Sequence, residues 1–262
     1  MKFIHLSDTH IKKDPYELYG LNPYNRLESA IHSINKYHKD ADFIVITGDL
    51  TDRGDLKAYE NFKNICDKSD VRIIKIIGNH DNRENFLTVF PENFHNENFI
   101  QGVQEIENNA LIFLDTKVEN TDGGDMCDIR FEWFKNQLEK YKNKNTFVFM
   151  HHPPMSIGIK YMDKISFSSS NRLKELFLKY PNIKYLFFGH LHRAVTGLWA
   201  DVPYMGIRGT NHQVALKMND DLLHMTIDEQ PTYGIVTVKN NDTLIHLHEY
   251  LNEERYSTFE DQ

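Results

Sequence analysis

With 262 residues, 40% of them hydrophobic and 12% aromatic, the chain is long enough to bury a substantial core as one folding unit. A formal net charge of -8 argues against a protein that grips nucleic acid by neutralising many phosphates, but leaves room for a small anionic substrate if metal ions supply the positive charge. The two cysteines, Cys66 and Cys127, lie far apart, which excludes a disulfide framework or zinc ribbon and fits a reducing compartment, and no apolar stretch reaches membrane-spanning length.

The chain enters strand-like sequence at once. Lys2-Phe3-Ile4-His5-Leu6 ends in the polar turn Ser7-Asp8-Thr9-His10, which leaves no room for a signal peptide and makes the cytoplasm the expected location. After a loop from Asp14 to Asn25, Leu27, Ala30, Ile31 and Ile34 recur at helical spacing between Arg26 and His38. The apolar run Phe43-Ile44-Val45-Ile46 then stops at Gly48-Asp49-Leu50-Thr51-Asp52-Arg53-Gly54. A strand of that composition is buried on both faces, so a carboxylate at its C-terminal end sits on the sheet rim where α/β folds bind ligands. Taken alone, Asp49 would be read as a turn or helix cap. It does not stand alone.

Asp55 can cap a helix carrying Leu56, Tyr59, Phe62 and Ile65 on one face, and the next strand, Ile73 to Ile77, stops at Gly78-Asn79-His80-Asp81. A short helix from about Glu84 and strand-like pieces near Phe99 and from Val103 to Ile106 precede the strand Ala110 to Asp115. Past the Gly123-Gly124 loop come a helix from Phe131 to Tyr141 and a strand from Thr146 to Met150, which ends in His151-His152-Pro153-Pro154. Met155 to Ser170 has little periodicity, and a loop of that length in a compact domain reads as a wall of a site. A helix from about Arg172 to Tyr180 feeds Tyr185 to Phe188, which ends in Gly189-His190-Leu191-His192. Beyond Arg193 the pattern changes to short strands, Thr196 to Trp199, Tyr204 to Ile207, Gln213 to Leu216, Leu223 to Ile227, Ile235 to Val238 and Leu244 to Tyr250. The last ten residues read as a polar tail.

Asp8, His10, Asp49, Asn79, His151, His190 and His192 thus all follow buried strands, whose parallel ends share one sheet edge. Carboxylate and amide oxygens with imidazole nitrogens suit Mn, Fe, Zn or Co better than Ca or Mg. In a two-ion site one carboxylate bridges ions about 3.5–4 Å apart, and Asp49 is the candidate. Other histidines have plainer readings: His5 packs in the core, His246 and His248 form a polar strand face, His32 and His38 lie on a helix surface, and His95 lies in a polar loop. His152 reads as a neighbour of the site, His212 as a pocket or turn residue, and Trp133 and Trp199 as packing anchors. Arg53 and Arg193, beside the motifs, would contact phosphate or pair with carboxylates.

The ordered set Asp8-Thr9-His10, Gly48-Asp49, Gly78-Asn79-His80-Asp81, His151 and Gly189-His190-Leu191-His192 resembles the calcineurin-like metallophosphoesterase superfamily. The likeness extends over nearly the whole chain to class III cyclic-nucleotide phosphodiesterases and binuclear glycerophosphodiesterases, through Arg26-Leu27, His151-His152-Pro153-Pro154, Arg193, Trp199 and Thr210 to Leu216. It implies an α/β fold, a four-layer αββα sandwich in a single domain, with Thr196 to Tyr250 as a β-rich part that forms a homodimer. It also implies one metal on Asp8, His10, Asp49 and His192, a second on Asp49, Asn79, His151 and His190, and an unligated His80 beside the substrate. A positively placed His80, oriented by the adjacent Asp81, is the expected catalytic group, stabilising the transition state or protonating the leaving alkoxide. His212 and Arg193 are the expected substrate contacts.

Two divalent ions, two carboxylates and a bridging hydroxide would leave one positive charge, which a phosphodiester monoanion neutralises. A metal-dependent phosphodiesterase is therefore the leading expectation, with 3′,5′-cyclic nucleotides as the substrate class the resemblance implies and a glycerophosphodiesterase or broad phosphatase as the alternative. Gly48 to Gly54 also looks like the protein-phosphatase block, but Asp81 stands where that family usually has Glu. A non-enzymatic metal-binding scaffold is disfavoured by the complete ligand set.

Overall fold

Strands apolar at every position need cover on both faces, and β-strand runs of this kind form the centres of two stacked sheets. The computed structural model describes residues 1–93, 96, 98–218, 225–240 and 242–252. The expectations for His95, for Leu223 at the head of one strand and for the last ten residues lie outside these.

In chain order, β1 (Lys2–Leu6), α1 (Pro23–Tyr37), β2 (Phe43–Thr47), α2 (Leu56–Cys66), β3 (Ile73–Ile76) and α3 (Arg83–Val89) come first. They are followed by β4 (Gly102–Ile106), β5 (Asn109–Phe113), α4 (Asp128–Lys140), β6 (Asn145–Phe149), α5 (Lys160–Asp163), α6 (Ser170–Lys179) and β7 (Ile183–Phe188). The C-terminal strands are β8 (Val195–Trp199), β9 (Val202–Gly206), β10 (Gln213–Val214), β11 (Thr226–Ile227), β12 (Thr232–Lys239) and β13 (Asp242–Glu249). Helix starts follow their local chemistry: the Asn22 side chain accepts from Asn25 N at 3.1 Å ahead of Pro23, and Asn82 does the same from Asn85 N at 2.9 Å.

One sheet has the order β13-β12-β1-β2-β3 and the other β4-β5-β6-β7-β9-β8, while β10 and β11 pair only with each other. In the first, β1, β2 and β3 run parallel and β12 returns antiparallel along β1. In the second, β5, β6, β7 and β9 are parallel, with β4 and β8 as antiparallel edges. The β-rich C-terminal third is thus divided between the sheets, β8 and β9 completing one, β12 and β13 the other. The expected Met155 to Ser170 loop contains one short helical turn, α5.

Helices α1, α2 and α3 cover the outer face of the first sheet through Leu27, Ile31, Ile34, Tyr59, Phe62 and Phe86. Helices α4 and α6 cover the second through Phe131, Phe134, Leu138, Leu173 and Phe177. Between the sheets lies a layer rich in phenylalanine, with Phe3 stacked on Phe43 at 4.9 Å and Phe149 stacked between Phe113 (4.9 Å) and Phe187 (5.1 Å). This is the four-layer αββα arrangement, and it fixes the two sheets against each other so that their strand ends form one rim.

Phe149 is fully buried in that layer, so Phe149→Ala should cost about 3–5 kcal/mol of stability. Chemical denaturation monitored by far-UV circular dichroism checks this through the fall in midpoint.

Candidate metal centre

Each strand that reaches the rim turns sharply there. Asp8, His10, Asp49, His190 and His192 have φ of +55°, +47°, +48°, +68° and +49°. Side chains other than Gly rarely adopt this left-handed region, which costs roughly 1–3 kcal/mol each in strain. The turns are held by neighbouring backbone: Asp8 N donates to Gly48 O (3.1 Å), His10 N to Asp49 O (3.0 Å) and Ile11 N to Leu50 O (3.1 Å), lacing the loop after β1 to the loop after β2. Two glycines make room. Gly48 has φ +97°, and a Cβ on Gly78 would lie 2.2 Å from Asp49 Oδ1 and 2.6 Å from His151 Nε2.

The result is two adjoining groups of side chains with Asp49 in common. In the first, the ligand-type atoms of Asp8, His10, Asp49 and His192 all lie within 4.8 Å of one another, with His10 Nε2 3.2 Å from His192 Nε2 and His192 Nε2 3.5 Å from Asp8 Oδ1. In the second, His151 Nε2 is 3.3 Å from Asp49 Oδ2 and 3.1 Å from Asn79 Oδ1, and His190 Nδ1 is 3.1 Å from the same Asn79 oxygen. All seven residues singled out from the sequence come together here.

Backbone carbonyls set the tautomers. His151 Nδ1 faces Thr47 O at 2.7 Å, His192 Nδ1 faces His212 O at 2.7 Å, and His190 Nε2 faces Ile165 O at 3.0 Å. A carbonyl only accepts, so each of these nitrogens carries a hydrogen and the opposite one, once unprotonated, presents a lone pair to the centre. The lone pairs meet carboxylate and amide oxygens, while Asp8 Oδ2 and His10 Nδ1 are buried with no protein partner. Acceptors converging on acceptors in a buried site are unfavourable unless a cation lies among them, and backbone-anchored imidazoles are how metal-binding histidines are held. The residues fit a pair of divalent ions.

The electrostatics agree. Burial, with neighbouring imidazoles, pushes His10 and His190 well below the usual histidine range, so they are neutral. Burial would raise Asp49, but His151, His80 and His10 hold it well below the usual carboxylate range, so it stays ionised. Burial lowers His151, yet the Asp49 and Asp8 charges raise it to about 9; a metal ion would compete with that proton.

His80 is exposed at the pocket mouth, outside both groups. Its main-chain N donates to Asp49 Oδ1 (3.0 Å) and its ring Nδ1 to Asp52 O (2.8 Å). Burial of part of the ring lowers its pKa, but the Asp49 and Asp52 charges outweigh that and raise it. Asp81 does not orient it, contrary to the expectation from adjacency. Both Asp81 oxygens are taken by Leu50 N, Thr51 N, Thr51 Oγ1, Tyr59 OH and Gly78 N, so this carboxylate fastens two loops together. Arg193 is likewise not a phosphate contact: its guanidinium is held by Glu229 Oε2 at 2.6 Å and Val214 O at 3.3 Å. Arg53 is 83% exposed, beside Asp52.

A cavity of about 200 Å³ opens over the centre. His212 lines it, its ring 4.3 Å from His192 and 4.7 Å from Tyr19, and Tyr161, Met162 and Ile165 of the long loop form one wall. Tyr19, Asp52 and Asp122 also line it. Sequence reasoning missed these as site residues, and only Asp52, inside the Gly-Asp block, carried a signal. His5 is buried against Thr47 Oγ1 (2.9 Å) and pushed down to about 3 by burial. His152 bonds Thr116 Oγ1 at 2.8 Å, its ring 4.7 Å from that of His190.

Residues 1–194 match the family described as calcineurin-like phosphoesterase. A probable cyclic nucleotide phosphodiesterase of Rhodopseudomonas palustris is 34% identical over 250 residues, covering 94% of this chain and 91% of its own. A probable glycerophosphodiester phosphodiesterase of Arcobacter nitrofigilis is also 34% identical, over 236 residues, covering 88% and 86%. A dimetal phosphatase from Danio rerio shares the fold, with a TM-score of 0.70 at 10% identity over 95% of this chain and 96% of that one.

Because a Cβ at residue 78 meets the shared carboxylate, Gly78→Ala should lose one or both ions while keeping its far-UV circular dichroism. Elemental analysis after desalting checks it.

Proposed function

The chain belongs to the calcineurin-like phosphoesterase family, and on that footing we propose a metal-dependent phosphodiesterase acting on small phosphodiesters, with 3′,5′-cyclic nucleotides as the leading substrate class. The observation that carries this reading is the pair of inward-facing donor sets that share Asp49. Asp8, His10, Asp49 and His192 would hold one ion, and Asp49, Asn79, His151 and His190 the other. Bound there, divalent ions supply an activated water nucleophile and neutralise charge on the phosphoryl oxygens.

The chain's own groups do the rest. Thr47, Ile165 and His212 carbonyls hold three imidazoles in the tautomer that presents a lone pair inward. His80 sits at the pocket mouth with Nδ1 donating to Asp52 O, and transfer of a proton from its Nε2 to the departing alkoxide is its proposed role. None of the described residues lining the cavity is Lys or Arg. Apart from a protonated His80, a monoester dianion therefore finds no side-chain cation among them, which supports the singly charged diester.

Glycerophosphodiesters are the second reading, supported by the Arcobacter relative at the same identity. A non-enzymatic scaffold is disfavoured by the intact donor set. Mn, Fe, Zn or Co are the proposed ions. The free thiols of Cys66 and Cys127 support a cytoplasmic location, and Leu198, 68% exposed on edge strand β8, supports a homodimer through residues 196–250. Among the described residues no helix is long and apolar enough to cross a membrane.

In Mn-loaded protein, kcat/KM for bis(p-nitrophenyl) phosphate should exceed that for p-nitrophenyl phosphate; the reverse order would replace the diesterase reading with a phosphatase. His80→Ala should lower kcat by about 10²–10⁴-fold on a diester with a poor leaving group, with metal content unchanged. The loss should shrink when p-nitrophenolate leaves, and undiminished turnover on both substrates would remove His80 from the chemistry.

A further inference from the structure

Three consecutive residues after β5 each hold a different neighbour of the second donor set. Asp115 is fully buried and takes two hydrogen bonds from Arg83, at 2.8 Å each, at the head of α3. Thr116 Oγ1 meets His152 Nδ1 at 2.8 Å, and the His152 ring packs on those of His151 and His190. Lys117 is 5% exposed, and its Nζ donates to the main-chain oxygen of Asn79 at 3.0 Å.

Lys117 is itself held on all sides. Its N donates to Asp115 Oδ1 (3.0 Å), and its O accepts from Arg83 Nη2 (2.6 Å) and Arg130 Nη1 (3.0 Å). The segment 79–83 is thus fastened at both ends to 115–117: Asn79 by the ammonium, Arg83 by the carboxylate. These two segments come from different sheets, since 79–83 follows β3 and 115–117 follows β5. A buried ammonium is costly unless paired and hydrogen-bonded; this one has Glu119 Oε2 at 3.5 Å, and its short hydrogen bond goes to the backbone of the one amide among the seven donors.

We propose that Lys117 is a positioning residue that sets the affinity of the second metal subsite by fixing Asn79. The proposal rests on the two-ion reading of the site. Asn79 supplies only a neutral carbonyl oxygen, so its contribution depends on where its loop is held more than on charge. Loss of a group that orients a ligand typically weakens metal binding by about 10–100-fold.

The test is Mn(II) titration of the metal-free full chain, followed by calorimetry and by electron paramagnetic resonance, with no activity assay. Wild type should bind two ions and develop the signal of a spin-coupled pair. In Lys117→Met one of the two sites should lose about 10–100-fold in affinity, the other should be unchanged, and isolated Mn signals should replace the coupled pair. Lys117→Arg, which keeps a donor, should restore most of it. Wild-type binding by Lys117→Met at both sites would overturn the proposal, as would equal weakening of both sites with a lowered melting temperature, which marks a general packing role. A wild type that binds fewer than two ions would overturn the two-ion reading itself, and with it this inference.

Discussion

The arrangement on which this structure depends is a convergence of buried carboxylate oxygens and imidazole nitrogens on one point at the rim. Asp49 Oδ2 lies 3.3 Å from His151 Nε2 and 3.7 Å from His10 Nε2, whose own neighbour at 3.2 Å is another imidazole nitrogen. A protein core normally pairs each buried polar atom with a partner of the opposite kind. Here three of the four imidazoles spend their outer nitrogen on a backbone carbonyl and turn the other one inward. That asymmetry is what a cation site requires, and it explains why carbonyls at Thr47, Ile165 and His212 occupy the outer ring nitrogens.

Neither sheet could build the centre alone. Asp8, His10, Asp49 and Asn79 come from the ends of β1, β2 and β3, whereas His151, His190 and His192 follow β6 and β7 of the other sheet. The phenylalanine layer between the sheets sets their separation, and the loops are then cross-tied at the rim: Thr210 N and Oγ1 to Ser7 O, His190 N to Asp8 Oδ1, and Asp81 to the loop after β2. Packing far from the chemistry and hydrogen bonds beside it act in series. The first brings the strand ends to one edge, and the second turns each side chain inward.

Much of this was legible because strand ends are legible. An apolar run followed by Gly-Asp or Gly-Asn-His reports both a buried strand and what stands at its rim, so the seven convergent residues and the order of elements could be read from the chain. What local pattern does not encode is direction. Asp81 follows His80 but points back towards the loop after β2, because three donors wait for it there and two more, Tyr59 OH and Gly78 N, close round it. Arg193 follows His192 but turns to Glu229, thirty-six residues away in sequence. Tyr19, Asp122 and Lys117 reach the site from loops with no periodicity, so only tertiary structure brings them to it.

The same geometry ties ion binding to stability. Five site residues hold left-handed backbone at roughly 1–3 kcal/mol each. The interlocked rim hydrogen bonds and the inter-sheet core have to hold these conformations when no cation is bound. An ion that binds the folded chain and not the unfolded one shifts the equilibrium towards folding in proportion to its affinity and concentration. Ions bound to the two donor sets would therefore offset part of the strain that the turns at the rim impose on the fold.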